Sequence, residues 1–270
     1  TPRQAKPNTV DKASCHTEIH AEVEEEPPST KGRRSVVFRM PAEKQSQSPS
    51  VLKSVPNYPV HQRRKFIQRY YPNITDRQWN DWQWQIANRI RTQAQLEAFV
   101  TLAAQEQEAL ANLQTKLPMA ITPYYMSLLE GRSADTALRR TVVPTANELI
   151  QSPGEADDPL GEDDQSPVPG LVHRYPDRVL FLTLDFCSTY CRYCTRSRVV
   201  GHGRLFFNRR RLEKALDYIS RTPTIRDVLL SGGDPLTLGD ARLDWLLTRL
   251  RQIKHVEIIR IGTKIPAVLP

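Results

Sequence analysis

Three of the four cysteines in this 270-residue chain fall within one short stretch, "DFCSTYCRYCTRSR", residues 185–198. Cys187, Cys191 and Cys194 follow a C-x3-C-x2-C spacing, whereas Cys15 stands alone in a polar tail. An odd cluster of thiols is a poor disulfide framework. Thiolates are soft ligands that select zinc or iron–sulfur iron. Structural zinc takes four protein ligands, so a zinc site here would need His173 or His202 as the fourth. A [4Fe–4S] cluster on three cysteines leaves one iron open to an exogenous ligand, and the spacing favours this reading, with zinc as the alternative. A second feature is "SGGD", residues Ser231, Gly232, Gly233 and Asp234. It offers exposed backbone and a carboxylate, although on its own it would be a turn signal. Arginines follow the cysteines directly; Arg192 and Arg198 read as ion-paired or solvated residues.

Both motifs sit at the ends of strands. "VLFLTLDF", from Arg178 onward, reads as a buried strand running into the cysteines, its last residues being Asp185 and Phe186. "RLEKALDYISR" places Leu212, Ala215, Leu216 and Ile219 on one helix face, and "LDWLLTRLRQI" does the same with Leu243, Leu246, Leu247 and Leu250. "DVLLSGGD" and "VEIIRIG" supply two more strands. Strand, helix, strand, helix, strand is a βαβαβ unit, hence an α/β fold with a parallel sheet and right-handed crossovers. In such sheets and barrels the site lies at the carboxyl ends of the strands, where both motifs fall.

Upstream, residues 1–55 are rich in Pro, Ser, Lys and Glu and read as a disordered extension or linker. Residues 56–150 read as a helical region. Thr75 with Gln78 and Thr92 with Gln95 are capping boxes; Trp79, Trp82, Ile86 and Ile90 recur at helical spacing and are expected in its core. Residues 151–177 form a Pro- and Asp-rich loop leading to the sheet region, 178–270. Long loops of this kind are often functional.

Composition narrows the class. The chain is 39% hydrophobic and 25% charged, ordinary for a globular protein. Its apolar runs are too short to cross a bilayer. Thr1 is followed by no charged-then-apolar leader, and both ends read as cuts, so a fragment is expected. The formal charge is +8, but no tract of alternating basic and aromatic residues accompanies it, which argues against nucleic acid. Clustered thiols point to a reducing compartment, the cytoplasm.

A cysteine triad of this spacing after the first strand of an α/β barrel resembles the radical S-adenosylmethionine enzymes. The resemblance narrows with "ITPYY", "SPVPGLVHRYPDRVL", "CRYCTRSR", "DVLLSGGDPL" and "HVEIIRIGTK", from about residue 60 to 270, which look like the lysine 2,3-aminomutase family. It implies a partial radical-SAM (βα)6-type barrel, with about three βα units present, behind an α-helical N-terminal region. It also implies three cofactors: a [4Fe–4S] cluster on Cys187, Cys191 and Cys194, S-adenosyl-L-methionine, and pyridoxal 5′-phosphate. Tyr193 would lie near the adenine, and Ser231 to Asp234 would hold the methionine amino group. Arg174 and Arg178 would bind the pyridoxal phosphate group, and Arg196 the substrate carboxylate, since guanidinium forks suit both anions.

The activity implied is a 2,3-amino migration on L-lysine, giving β-lysine; glutamate or another amino acid is the alternative substrate, and a zinc-stabilised binding protein the alternative class. The implied partners are the amino acid, an electron donor such as flavodoxin or ferredoxin, and further copies of the chain. Two departures stand out. Lys264 occupies a position where the family often has arginine, losing the bidentate fork. The lysine that anchors pyridoxal phosphate in the family lies downstream of residue 270, so this stretch alone is not expected to complete turnover.

Overall fold

The structure, a computed structural model, describes residues 58–112, 117–203, 205 and 207–270. The expected extension, residues 1–55, lies outside them. The described residues belong to one compact unit.

The helical region is a run of helices, α1 (Tyr58–Tyr70), α2 (Asp76–Trp79), α3 (Trp82–Ala87), α4 (Gln93–Glu97), α5 (Ala104–Ala111), α6 (Pro123–Ser127) and α7 (Ala137–Arg140), of which α2, α3, α4 and α6 begin on a side-chain N-cap. Both expected capping boxes form, at Thr75/Gln78 and Thr92/Gln95. The tryptophan spacing, however, does not belong to one helix. Asn80 ends α2, and the Asp81 side chain accepts the Gln83 N–H to start α3. That break rotates Trp82 outward: it is 39% exposed, against 2% for Trp79. Trp84 instead packs with Tyr71 and Trp79. Deeper in this region Arg139 and Glu106 form a buried ion pair, 2.6 Å apart.

The sheet has four strands in the order β1 (Leu171–Tyr175), β2 (Arg178–Leu184), β3 (Asp227–Gly232) and β4 (Ile258–Ile261). Strands β2, β3 and β4 are parallel; α8 (Arg209–Arg221) and α9 (Asp240–Arg251) make the crossovers. Two boundaries differ from the sequence reading. The stretch assigned to a loop, 151–177, ends in β1, which pairs antiparallel with β2 through Leu171–Phe181 and Val172–Leu180. Strand β2 also stops at Leu184, because Asp185 bonds to the far end of the cysteine loop and not to a neighbouring strand.

Strand alternation divides the residues between two faces. Val179, Phe181, Val228 and Leu230 pack against Leu212, Ala215, Leu216 and Ile219 of α8 and Leu246 and Leu250 of α9. Fully burying each such side chain contributes about 1.5–3 kcal/mol. The opposite face carries Leu180, Leu229 and Arg260 into a cavity. After β4 the chain turns into α10 (Ile265–Val268) and rejoins the helical region: Val268 and Leu269 sit in its core. There the buried Thr122 hydroxyl donates to the Val268 carbonyl at 2.6 Å. No helix among the described residues is long and apolar enough to cross a membrane.

Candidate active site

The cysteine loop is closed at its base by Asp185. The Asp185 N–H donates to the Leu205 carbonyl at 2.7 Å, and the Leu205 N–H returns to Asp185 Oδ2 at 2.9 Å. The Gly201 N–H donates to the Asp185 carbonyl at 2.8 Å. The helical region supports the loop from below: the Tyr190 N–H bonds Ala120 O at 3.1 Å and the Arg192 N–H bonds Thr141 O at 2.9 Å. Arg192 is not a solvated residue. It is half-buried, ion-paired with Glu148 at 2.5 Å, and donates to the carbonyls of Leu117 and Pro118. Leu117, Ala120, Tyr190 and Val200 form an apolar floor against which Cys187 and Cys194 pack.

The glycines of the SGGD turn allow β3 to end directly on this loop. The Gly233 N–H donates to Leu184 O at 2.6 Å and the Asp234 N–H to Phe186 O at 2.8 Å. Gly232 has φ +104°, and a Cβ there would stand 2.3 Å from the Leu184 carbonyl oxygen; one on Gly233 would meet the Phe186 carbonyl at 2.3 Å. Only glycine fits such a close backbone approach. The Asp234 carboxylate is buried and committed: it accepts from Leu236 N–H at 3.1 Å, Thr263 Oγ1 at 2.7 Å and Lys264 N–H at 2.7 Å.

The three thiols are free and half-buried. One sulfur accepts a side-chain hydrogen bond: Lys264 Nζ donates to Cys191 Sγ at 3.1 Å. Burial pushes the Cys187 and Cys194 thiols up, and the neighbouring sulfurs add to this for both. Loading a metal must therefore displace protons. His173 and His202, the possible fourth zinc ligands, are engaged elsewhere, with Tyr218 Oη and the Ser197 carbonyl, each at 2.9 Å. Among the described residues no group of three or more His, Cys, Asp or Glu side chains is drawn together tightly enough to hold a single metal ion. Three soft sulfurs on one loop, joined by no fourth protein ligand among the described residues, fit a cluster with one open iron better than a zinc ion; an N–H···S bond such as that from Lys264 to Cys191 is of the kind that tunes cluster potentials.

Tyr193 stands 63% exposed beside this group, presenting an open ring. Lys264 ties it in place: Nζ donates to Tyr193 Oη at 2.9 Å and lies 4.9 Å from the ring centroid. The position that departs from the family's arginine thus sits at the centre of the site.

Arg196 connects the thiols to a cavity of about 350 Å³ on the open face of the sheet. The residue follows Cys194 by two positions and lines the cavity with Arg174, Arg178 and Arg260. Three of these four cations have partners: Arg196 grips Glu162 at 2.7 Å, Arg178 pairs with Asp177 at 2.9 Å, and Arg260 with Asp227 at 2.8 Å. Arg174 is exposed and pairs with no carboxylate of the described residues; its one hydrogen bond, to Leu160 O, is long at 3.3 Å. The three arginines singled out by sequence therefore line one cavity. Arg198 points to Asp158 and Asp163 instead, an ion-pair role as expected. Sequence reading missed Glu162, Arg89 and the contacts of Lys264. Only Glu162 left a trace, as part of the acidic run "GEDD" set against the basic "TRSR".

Residues 181–270 match the model of the radical SAM superfamily, so the fold and site define a radical S-adenosylmethionine protein. The chain is 48% identical over 200 residues to an L-lysine 2,3-aminomutase of Clostridium subterminale, covering 74% of this chain and 48% of the relative. It is 49% identical over 211 residues to one of Fusobacterium nucleatum, covering 78% and 49%. A glutamate 2,3-aminomutase of Clostridioides difficile is 36% identical over 198 residues, covering 73% and 47%. The chain spans about half the length of these curated relatives. Within the superfamily it belongs to the lysine 2,3-aminomutase family.

Proposed function

We propose that this chain carries the radical-generating half of an amino-acid 2,3-aminomutase acting on L-lysine. The observation that supports this most directly is Arg196, which follows the last cysteine of the triad by two residues and lines the arginine cavity. A group held there lies next to the radical source, and proximity of this kind is a large part of catalysis.

The cluster would supply the electron that cleaves S-adenosylmethionine, and pyridoxal phosphate would hold the migrating amine. The protein's own contribution is positioning and shielding. Cys187, Cys191 and Cys194 hold the iron. The exposed ring of Tyr193, fixed by Lys264, offers an apolar face to a flat base. Ser231, Gly232 and Gly233 present backbone at the end of β3, while Asp234 holds that turn against Lys264. The unpaired Arg174 and its neighbour Arg178 suit a phosphate, and Arg196 suits a carboxylate, exchanging Glu162 for it. The 48% and 49% identity to the lysine enzymes of Clostridium subterminale and Fusobacterium nucleatum, against 36% to the glutamate enzyme, supports lysine as substrate. An electron donor of the flavodoxin or ferredoxin type, self-association and a cytoplasmic location belong to the same proposal.

Anaerobic reconstitution with iron and sulfide tests it. A brown protein with an iron–sulfur EPR signal that changes on adding S-adenosylmethionine is expected; a colourless protein holding one tight zinc would overturn the reading. In the full-length protein, conversion of L-lysine in preference to L-glutamate is expected, and the reverse preference would reassign the substrate.

A further inference from the structure

Among the described residues two arginines are buried, Arg139 and Arg89; of the half-buried ones near the site, Arg211 donates to the Leu182 and Thr183 carbonyls, while Arg192 and Arg196, like Arg139, have carboxylate partners. Arg139 has Glu106, Arg192 has Glu148 and Arg196 has Glu162. Arg89 is 6% exposed and pairs with no carboxylate of the described residues. It follows α3 just past its C-cap Asn88, outside the stretch that matches the radical SAM model. Its Nη1 donates to the Cys187 carbonyl at 2.8 Å and its Nε to the Ile86 carbonyl at 3.1 Å. The guanidinium carbon lies 4.5 Å from the Phe186 ring centroid and 6.0 Å from that of Tyr190. Burial pushes its pKa down. Arginine nonetheless stays charged in proteins. A buried cation without an anion is costly, and cation–π contacts with two rings offset only part of that cost.

Three thiolates around a [4Fe–4S] core carry one net negative charge when oxidised and two when reduced. We propose that Arg89 is the buried counter-cation of this cluster and the positioning residue for the Phe186–Tyr190 arm of its loop, favouring the reduced state. This rests on the cluster reading above. Lys264 reaches a sulfur directly from the other side, whereas Arg89 acts through the Cys187 backbone and through space.

The test is anaerobic reconstitution of the wild-type chain, Arg89→Met and Arg89→Lys, with iron and sulfide content and the midpoint potential read by EPR-monitored titration. In Arg89→Met the reduced-to-oxidised ratio at a fixed ambient potential should fall at least tenfold, a shift of about 59 mV for a one-electron couple. Arg89→Lys keeps the charge and should stay within threefold of wild type, while losing cluster faster in air. A fully loaded Arg89→Met at the wild-type potential overturns the inference. If Arg89→Met does not load, Arg89→Lys decides: a near-wild-type potential supports the inference, and a tenfold shift despite the retained charge overturns it. Loss of loading in both variants with an unchanged circular dichroism spectrum also overturns it, leaving Arg89 a loop anchor only. A wild-type chain that assembles no cluster overturns the cluster reading, and this assignment with it.

Discussion

Arg196 shows how one residue can serve two neighbouring sites. Its guanidinium is a bidentate carboxylate receptor, and Glu162 occupies it at 2.7 Å. A charge-assisted bond of this kind is worth about 1.5–3 kcal/mol, and 1.4 kcal/mol is a tenfold change in affinity. Arg196→Ala in the full-length protein should therefore raise the KM for the amino acid by about tenfold or more, with iron content unchanged. Equal amino-acid affinity in the variant would remove Arg196 from substrate binding. At this scale much was legible: cysteine spacing and arginine offsets are written locally in the chain. Arg89 and Glu162 were not, because each acquires its role from a partner distant in sequence, Arg89 at Cys187 and Glu162 at Arg196. No local pattern encodes such a pair.

The SGGD turn and the capped helices carry their own expectations. Gly233→Ala forces a Cβ against the Phe186 carbonyl and nitrogen, 2.3 and 2.6 Å away. Overpacking costs about 1–3 kcal/mol, which for a chain of this size lowers Tm by about 2–12 °C. Because the displaced backbone is the cysteine loop, iron content should fall as well. The Arg139–Glu106 pair is buried on both sides, with each side chain 3% exposed. Arg139→Met strands the Glu106 carboxylate and should destabilise by about 3–5 kcal/mol, while the double variant Arg139→Met/Glu106→Leu should recover most of it; urea melts distinguish the two. Elements with strong local signals, the capping boxes and the apolar faces of α8 and α9, were legible. Strand β1 was not: "LVHRY" is five residues between turns, and only the edge of β2 makes it a strand. The α2–α3 break was hidden because Trp79, Trp82 and Ile86 mimic one continuous period across the Asn80–Asp81 junction.

For the whole molecule, the helical region and the sheet share the cysteine loop, so loading one should rigidify both. Hydrogen exchange should slow on reconstitution at Tyr190 and Arg192, whose amides bond the helical region. Protection confined to β2 and β3 would mean that the two regions are uncoupled. Alkaline stability has a separate origin. Burial pushes the Tyr71 phenol from 10.0 up to about 12. A group whose folded pKa is raised contributes stability that is fully present below its unfolded value and is lost as pH rises through the folded one. Tm should therefore decline between pH 10 and 12, and Tyr71→Phe should flatten that part of the curve.

The return of Val268 and Leu269 to the helical core also sets a schedule for biosynthesis. Val142 and Val143 leave the ribosome long before the residues that complete their core. At about 5–20 residues per second, that interval is roughly 6–25 s. During it Phe66, Trp79 and Trp84 belong to an unfinished core. The nascent chain is thus a client for chaperones that bind exposed aromatic surface, and codon choice between the two segments becomes a determinant of yield.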